Sequence, residues 1–251
     1  MTAHSGRQIV KLGERLRDSP EPTVDDLEML ADVLLEYDRI LMSVSDKLRV
    51  IGLEPTTRLK TSGTIIEKLR RESHLNLRTI RDLAGARIVR RMTLDEQDQL
   101  ATQIRALWSD VKFIDRREQP SHGYRAVHIV PRVDGCQVEI QLRTDYQDIW
   151  AQAMEGFGDA WGRAIRYGGE PDNPDEPISD GGMTRKQFTD LWKIQADALY
   201  ELAKLENEAA RLRAAPVTDA AERRLEELES EMNSRFVPLK SLVKQLRETF
   251  G

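Results

Sequence analysis

The chain has 251 residues, enough for one well-buried core with an appended helical region, and length alone does not force two domains. With 38 lysines and arginines against 43 aspartates and glutamates, the net charge of −5 excludes a bulk polybasic binder of nucleic acid or membranes and leaves only a local basic patch open. A single cysteine, Cys136, excludes an intrachain disulfide, and with neither a signal peptide nor a long apolar run the expectation is a cytoplasmic protein with no membrane partner.

Residues 1–23 are polar, with Leu12 and Leu16 at helical spacing among Lys11, Arg15 and Arg17, and Pro20 and Pro22 closing them; they predict a short N-terminal helix. Thr23 is a capping residue followed by Asp25 and Asp26. Leu27, Leu30, Leu34, Tyr37, Leu41, Val44 and Leu48 then recur at intervals of three and four, predicting a long amphipathic helix to about Val50, ended by Gly52 and Pro55. These helices form an N-terminal segment, 1–54.

A core segment, 55–167, carries the chemistry. Arg58 and Lys60 precede Ser62-Gly63-Thr64 and a helix with the apolar face Ile65, Ile66 and Leu69. Uncapped backbone N–H groups beside two cations suit a polyphosphate, although the spacing is not that of a Walker A loop. Asp82 stands at the mouth of a strand through Val89, with Gly85 permitting close backbone approach. A lone aspartate there reads as a cap or turn residue; paired with Glu139 it suits Mg²⁺, which takes one or two carboxylates at phosphate-transfer sites. Residues 93–108 predict a helix, Val111 to Ile114 a short strand, and Asp115 to His122 a charged loop.

Residues 121–144 predict two strands joined at Asp134-Gly135. Val138, Ile140 and Leu142 alternate with Glu139, Gln141 and Arg143, which puts the charged triplet on the face that is ordinarily solvated. Tyr124, Arg125, His128, Glu139 and Arg143 then fall within a hairpin's width. Cys136, in this strand, reads as a small buried hydrophobe. A helix over 145–167, with Tyr146, Ile149, Trp150, Met154, Phe157 and Trp161, is expected to face the sheet. Residues 168–182 predict a flexible acidic linker, and 183–251 a helical hairpin: Thr184 to Arg213, then Asp219 to Phe250 with a seam of Leu225, Leu228, Met232, Phe236, Leu239, Leu242, Leu246 and Phe250. Pro238 is expected to kink or break the second helix.

Four ordered motifs, Arg58-x-Lys60-x-Ser62, Ile80-x-Asp82-x-Ala84-Gly85-x-Arg87-Ile88, His122-Gly123-Tyr124-Arg125-Ala126-Val127-His128 and Glu139-Ile140-Gln141-Leu142-Arg143-Thr144, resemble the synthetase domain of the RelA/SpoT family in its small alarmone synthetase form. The resemblance spans about residues 58–165. It implies an α+β fold, a mixed β-sheet flanked by helices and similar to nucleotidyltransferases, here with a C-terminal helical hairpin. It implies a pyrophosphokinase that moves the β,γ-pyrophosphate of ATP to a ribose 3′-hydroxyl. By motif, Asp82 would bind Mg²⁺, and Glu139 would assist the metal or draw the hydroxyl proton. Arg58, Lys60, Ser62 and Arg87 would hold ATP. Tyr124 would stack on the acceptor base, with His128, Arg125, Arg116 and Arg117 on the acceptor side.

One departure bears on the acceptor. Family members that use GDP or GTP usually carry a lysine just before Gly-Tyr, where this chain reads Gln119-Pro120-Ser121-His122. The wording around Asp115-Arg116-Arg117 and Pro120-Ser121-His122-Gly123-Tyr124 resembles toxic small alarmone synthetases of toxin–antitoxin modules, several of which modify the 3′-terminal adenosine of tRNA and stop translation. The favoured acceptor is therefore tRNA. A (p)ppGpp synthetase using GDP or GTP is the alternative, and a non-catalytic partner-binding module the second. An antitoxin protein, and a homo-oligomer formed through the C-terminal helices, are the partners this reading implies.

Overall fold

Threonine and serine caps set where most helices begin. In this computed structural model, which describes residues 4–178, 182–239 and 241, Ser5 opens α1 (Gly6–Asp18) through a reciprocal capping pair with Gln8. Thr23 accepts from the Asp26 N–H to open α2 (Val24–Val50). Ile9, Leu12 and Leu16 are buried on α1. On α2 the buried face is Leu30, Val33, Tyr37, Ile40, Leu41, Val44 and Leu48; Leu27, expected on that face, is 42% exposed because it lies in the first turn, ahead of the packed stretch. Gly52, at φ 78°, ends the rod as expected.

Then come β1 (Thr56–Leu59), α3 (Ser62–Arg71), β2 (Ala84–Arg90), α4 (Leu94–Arg105) and β3 (Val111–Asp115). They are followed by β4 (Val127–Val133), β5 (Cys136–Gln137) and β6 (Glu139–Thr144). The strands lie in the order β1-β2-β6-β4-β3, with β5 paired to β4. Asp134 and Gly135 both have positive φ, as a two-residue hairpin turn requires, and set Val133 opposite Cys136. The predicted strand from residue 121 begins only at Val127: His122 and Gly123 both have positive φ and close a tight turn between Ser121 and Tyr124, so Tyr124 sits on a loop.

The C-terminal helices are α5 (Asp145–Trp161), α6 (Arg185–Ala214) and α7 (Asp219–Arg235). The single helix expected over 145–167 breaks at Gly162, whose φ of 101° no helix accommodates, and resumes as a 3₁₀ turn, Arg163–Tyr167. Helix α7 stops at Phe236, short of the expected end; residues 237–239 are again helical and include Pro238, which suits a first helical turn. The seam residues Leu242, Leu246 and Phe250 lie outside the described residues. In the acidic stretch after residue 167, the Ile178 N–H donates to the Met183 carbonyl, and Pro177 bridges Thr184.

The described residues group into two compact units. The first draws on Met1–Ile88, Ala101–Ile114 and His128–Leu142; in it α1 packs on α2 and α3, α2 packs on β1, and Leu12, Leu48, Leu69, Leu83, Ile129 and Ile140 are among the buried residues. The second draws on Val89–Leu100, Asp115–Val127 and Arg143–Gly251. Here Trp150 and Met154 of α5 form one cluster with Trp192, Leu199 and Leu202 of α6 and Leu228 and Met232 of α7. Within this unit the large apolar groups of α5 pack against the two C-terminal helices. Trp150 also donates its indole N–H to the Trp192 carbonyl at 3.0 Å, and Phe157 stacks on Trp161. Among the described residues no helix is long and apolar enough to cross a membrane.

Candidate active site

In the first unit, strand pairing brings four of the expected residues to one sheet face. Arg58 of β1 lies opposite Gly85 of β2, and cross-strand partners share a face. Ala84, Ala86 and Ile88 point to the buried side, leaving Gly85 and Arg87 on the other. A side chain built on Gly85 would lie 3.6 Å from the Glu139 carbonyl oxygen and 3.9 Å from that of Arg58, so β2 runs between those residues at this level. The protein tolerates a Cβ there. Glycine instead keeps the face bare between Arg58 and Glu139.

The Lys60 N–H donates to the Leu83 carbonyl at 2.9 Å, which fixes the end of β1 beside the mouth of β2. There Asp82 accepts both lysines of the site: Lys60 Nζ lies 3.1 Å from one carboxylate oxygen and Lys68 Nζ 3.0 Å from the other. All three side chains keep a partial opening to solvent, between 20% and 28%. Ser62 begins α3, whose cap is Thr61. Arg58 is exposed and has no ion-pair partner among the described residues.

Glu139, 12% exposed, has one oxygen 3.1 Å from His128 Nδ1, and the other accepts from Gln141 Nε2 at 2.9 Å. Burial is the largest influence on its acidity and acts to raise the pKa. The His128 and Gln141 hydrogen bonds, with the charges of His128 and Lys68, outweigh it and hold the carboxyl down at about 2. Lys68 therefore serves both carboxylates, binding Asp82 directly and acting on Glu139 through its field. The sequence reading missed it. The signal was there: Lys68 follows Ile65 by three and precedes Leu69 by one, the two buried positions of α3, which puts it on the inward edge.

Among the described residues no three or more histidine, cysteine or acidic side chains converge as a metal cage. Two carboxylates of hard oxygen, one kept ionised, instead suit a Mg²⁺ whose remaining ligands are phosphate oxygens and water.

In the second unit the expected acceptor-side residues have other partners. Gly123 combines a φ of 90° with a Cβ position 2.7 Å from the Trp150 ring, so only glycine fits, and it sets the direction of Tyr124. The Tyr124 hydroxyl accepts from Arg143 at 3.1 Å, and the guanidinium lies 5.1 Å from the ring centre. Arg143 is 2% exposed and donates to Asp148 at 2.9 Å. Burial opposes its charge, but Tyr124 and Asp148 raise its pKa above the ordinary value. The expectation of a solvated Arg143 is corrected: the alternation of β6 ends at Leu142, and this arginine is an internal ion.

Arg117, 8% exposed, is ion-paired to Asp115 and Asp98. Arg125, also 8% exposed, donates to the Arg117 carbonyl at 2.9 Å and to Asp197 at 2.7 Å, and lies 4.8 Å from the Tyr200 ring centre. Both charges are thus engaged inside the unit. Arg116 is exposed, with its backbone N–H donating to the Ala126 carbonyl.

A family profile described as "Region found in RelA / SpoT proteins" matches residues 57–161, from β1 to the end of α5. An uncharacterized protein of Mycobacterium tuberculosis, Rv1366, is 37% identical over 211 residues, 81% of this chain and 75% of the relative. Among solved structures, small alarmone synthetase 1 from Bacillus subtilis superimposes with a TM-score of 0.54 at 20% identity over 74% of this chain and 98% of that one. Small alarmone synthetase 2 from the same organism gives 0.51 at 21% identity over 70% and 94%. At these identities the two structures establish the likeness of fold.

Proposed function

The chain belongs to the RelA/SpoT family and is a pyrophosphokinase of that type, and from this premise we propose that its acceptor is the 3′-terminal adenosine of tRNA, whose modification stops translation. The chemistry asks for positioning and charge neutralisation more than for covalent help. Arg58, Lys60, Lys68, Ser62 and Arg87 hold the triphosphate, and the bare strand at Gly85 lets it approach closely. Asp82 and Glu139 would hold a Mg²⁺, which would supply neutralisation of the phosphate charge. Glu139, kept ionised, accepts the hydrogen bond of the attacking 3′-hydroxyl. Tyr124 offers its ring to the acceptor base, a contact of about 1–3 kcal/mol, and His128 orients Glu139 through its Nδ1 contact.

The observation that carries the acceptor reading is the loop ahead of Tyr124. It lacks a lysine at 119–122, and the nearby Arg117 and Arg125 are neutralised by Asp115, Asp98 and Asp197. A guanine nucleotide brings a 5′-diphosphate that needs cations there, whereas a tRNA end brings none. Exposed Arg116 favours GDP or GTP. A non-catalytic module is disfavoured because both carboxylates and both lysines are present. The toxin reading includes a neutralising antitoxin protein, a cytoplasmic setting and self-association through the C-terminal helices. Incubation with [γ-³²P]ATP, Mg²⁺ and either deacylated tRNA or GDP and GTP tests the acceptor: label is expected on tRNA, and label only in guanosine products refutes it.

A further inference from the structure

We infer that Asp82 is the resident counterion of the triphosphate site: it holds Lys60 and Lys68 while the site is empty and must release both before they can bind a nucleotide. This rests on the ATP reading above. Each Asp82 oxygen faces a different ammonium group, at 3.1 and 3.0 Å, so the two lysine charges offset the carboxylate and repel a further cation until they move away. The three side chains come from different places, the end of β1, the middle of α3 and the mouth of β2. Each ammonium is on a flexible stem that can swing from a carboxylate to a phosphate without moving backbone.

Two consequences follow. Without metal, Asp82 opposes nucleotide binding, because the lysines must exchange one anion for another while the carboxylate is left bare. With Mg²⁺, the freed carboxylate gains a cation in the same event, so metal and nucleotide enter as a linked pair. The same residue thus opposes metal-free nucleotide and favours the metal-bound form, which biases the site toward the reactive species.

The effect is testable by its dependence on the lysines, since a carboxylate that only held metal would repel a metal-free nucleotide equally with or without Lys68. The probe is α,β-methylene-ATP, whose bridging carbon prevents transfer, titrated calorimetrically in EDTA and in excess MgCl₂. Asp82→Asn is expected to tighten metal-free binding about tenfold, the scale of two partly exposed ion pairs, and to abolish the tightening that Mg²⁺ gives the unmutated chain. Simple repulsion between Asp82 and phosphate would also tighten binding, so the double variant decides between them. In a Lys68→Met background the gain from Asp82→Asn is expected to shrink to about threefold or less, because one of the two lysines it liberates is gone.

An Asp82→Asn variant that binds no tighter in EDTA, or an equal gain with and without Lys68, overturns the inference. Retained folding is checked by circular dichroism melts. On the unmutated chain, ¹⁵N-lysine ammonium signals, assigned through Lys60→Met and Lys68→Met, are expected to shift when the analogue is added in EDTA; signals that stay in place overturn it independently. If the folded, unmutated chain binds no analogue in either condition, the ATP reading itself falls and takes this inference with it. Ordinary Mg²⁺-dependent binding without an Asp82→Asn gain refutes the inference alone.

Discussion

Replacing Arg143 by methionine removes a buried cation of similar length and leaves its partner behind. Arg143 is 2% exposed and Asp148 5%, so the carboxylate that accepted at 2.9 Å is largely shielded from bulk water. Gln152 still donates to the other Asp148 oxygen, but an amide does not neutralise a charge. Breaking one side of a buried pair costs about 3–5 kcal/mol, against about 1 kcal/mol or less for an exposed pair. The Tyr124 hydroxyl loses its donor as well, adding about 1 kcal/mol. For a chain of this size each kcal/mol moves the melting temperature by about 2–4 °C, so a fall on the order of 10 °C is expected.

Urea unfolding of Arg143→Met, Asp148→Asn and the double variant measures this. The double variant should recover at least half of the single loss, since no charge then remains buried without its partner. A single-variant cost below about 1 kcal/mol, or strictly additive losses, would refute the description of Arg143 as an internal ion. Tyr124→Phe, which removes only the hydroxyl acceptor, serves as the control and should cost about 1 kcal/mol.

Other outcomes are expected. Glu139→Gln, nearly isosteric, should lower kcat by about 10²–10⁴-fold while leaving the melting temperature within a few degrees, and should relieve growth arrest if expression of the chain is toxic; persistent arrest would count against the toxin reading. Gly123→Ala must force a methyl against Trp150 at positive φ, so it should destabilise by about 1–3 kcal/mol and weaken acceptor binding more than ATP binding in separate titrations. Asp26, buried against Arg15, has a folded pKa held low by the Arg15 hydrogen bond, which outweighs desolvation. A depressed folded value means stability that is full above the unfolded carboxylate pKa of about 4 and is lost as pH falls through the lower folded value. Urea midpoints should therefore fall with acid more steeply for the unmutated chain than for Asp26→Asn, and parallel curves would remove the pair from the account.

What the sequence determined by itself was local. Threonine and serine caps with acidic first turns marked helix starts, the Asp134-Gly135 dipeptide marked the hairpin turn, and alternation through Glu139, Ile140, Gln141 and Leu142 placed a carboxylate on the less buried face. These are interactions within a few residues, so a linear pattern carries them. The four motifs carried the family, because catalysis ties residue types to an order along the chain. Partnership was decided only in three dimensions. Arg125 meets Asp197 across 72 positions, Arg143 meets Tyr124 across 19, and Trp150 meets Trp192 across 42, separations at which no periodicity survives. A charge is read as solvated or functional until its counterion is found, which is why Arg117, Arg125 and Arg143 looked available and are internal. Lys68 looked like one more cation of a helix end, and only the approach of β2 to α3 made it the charge that serves both Asp82 and Glu139.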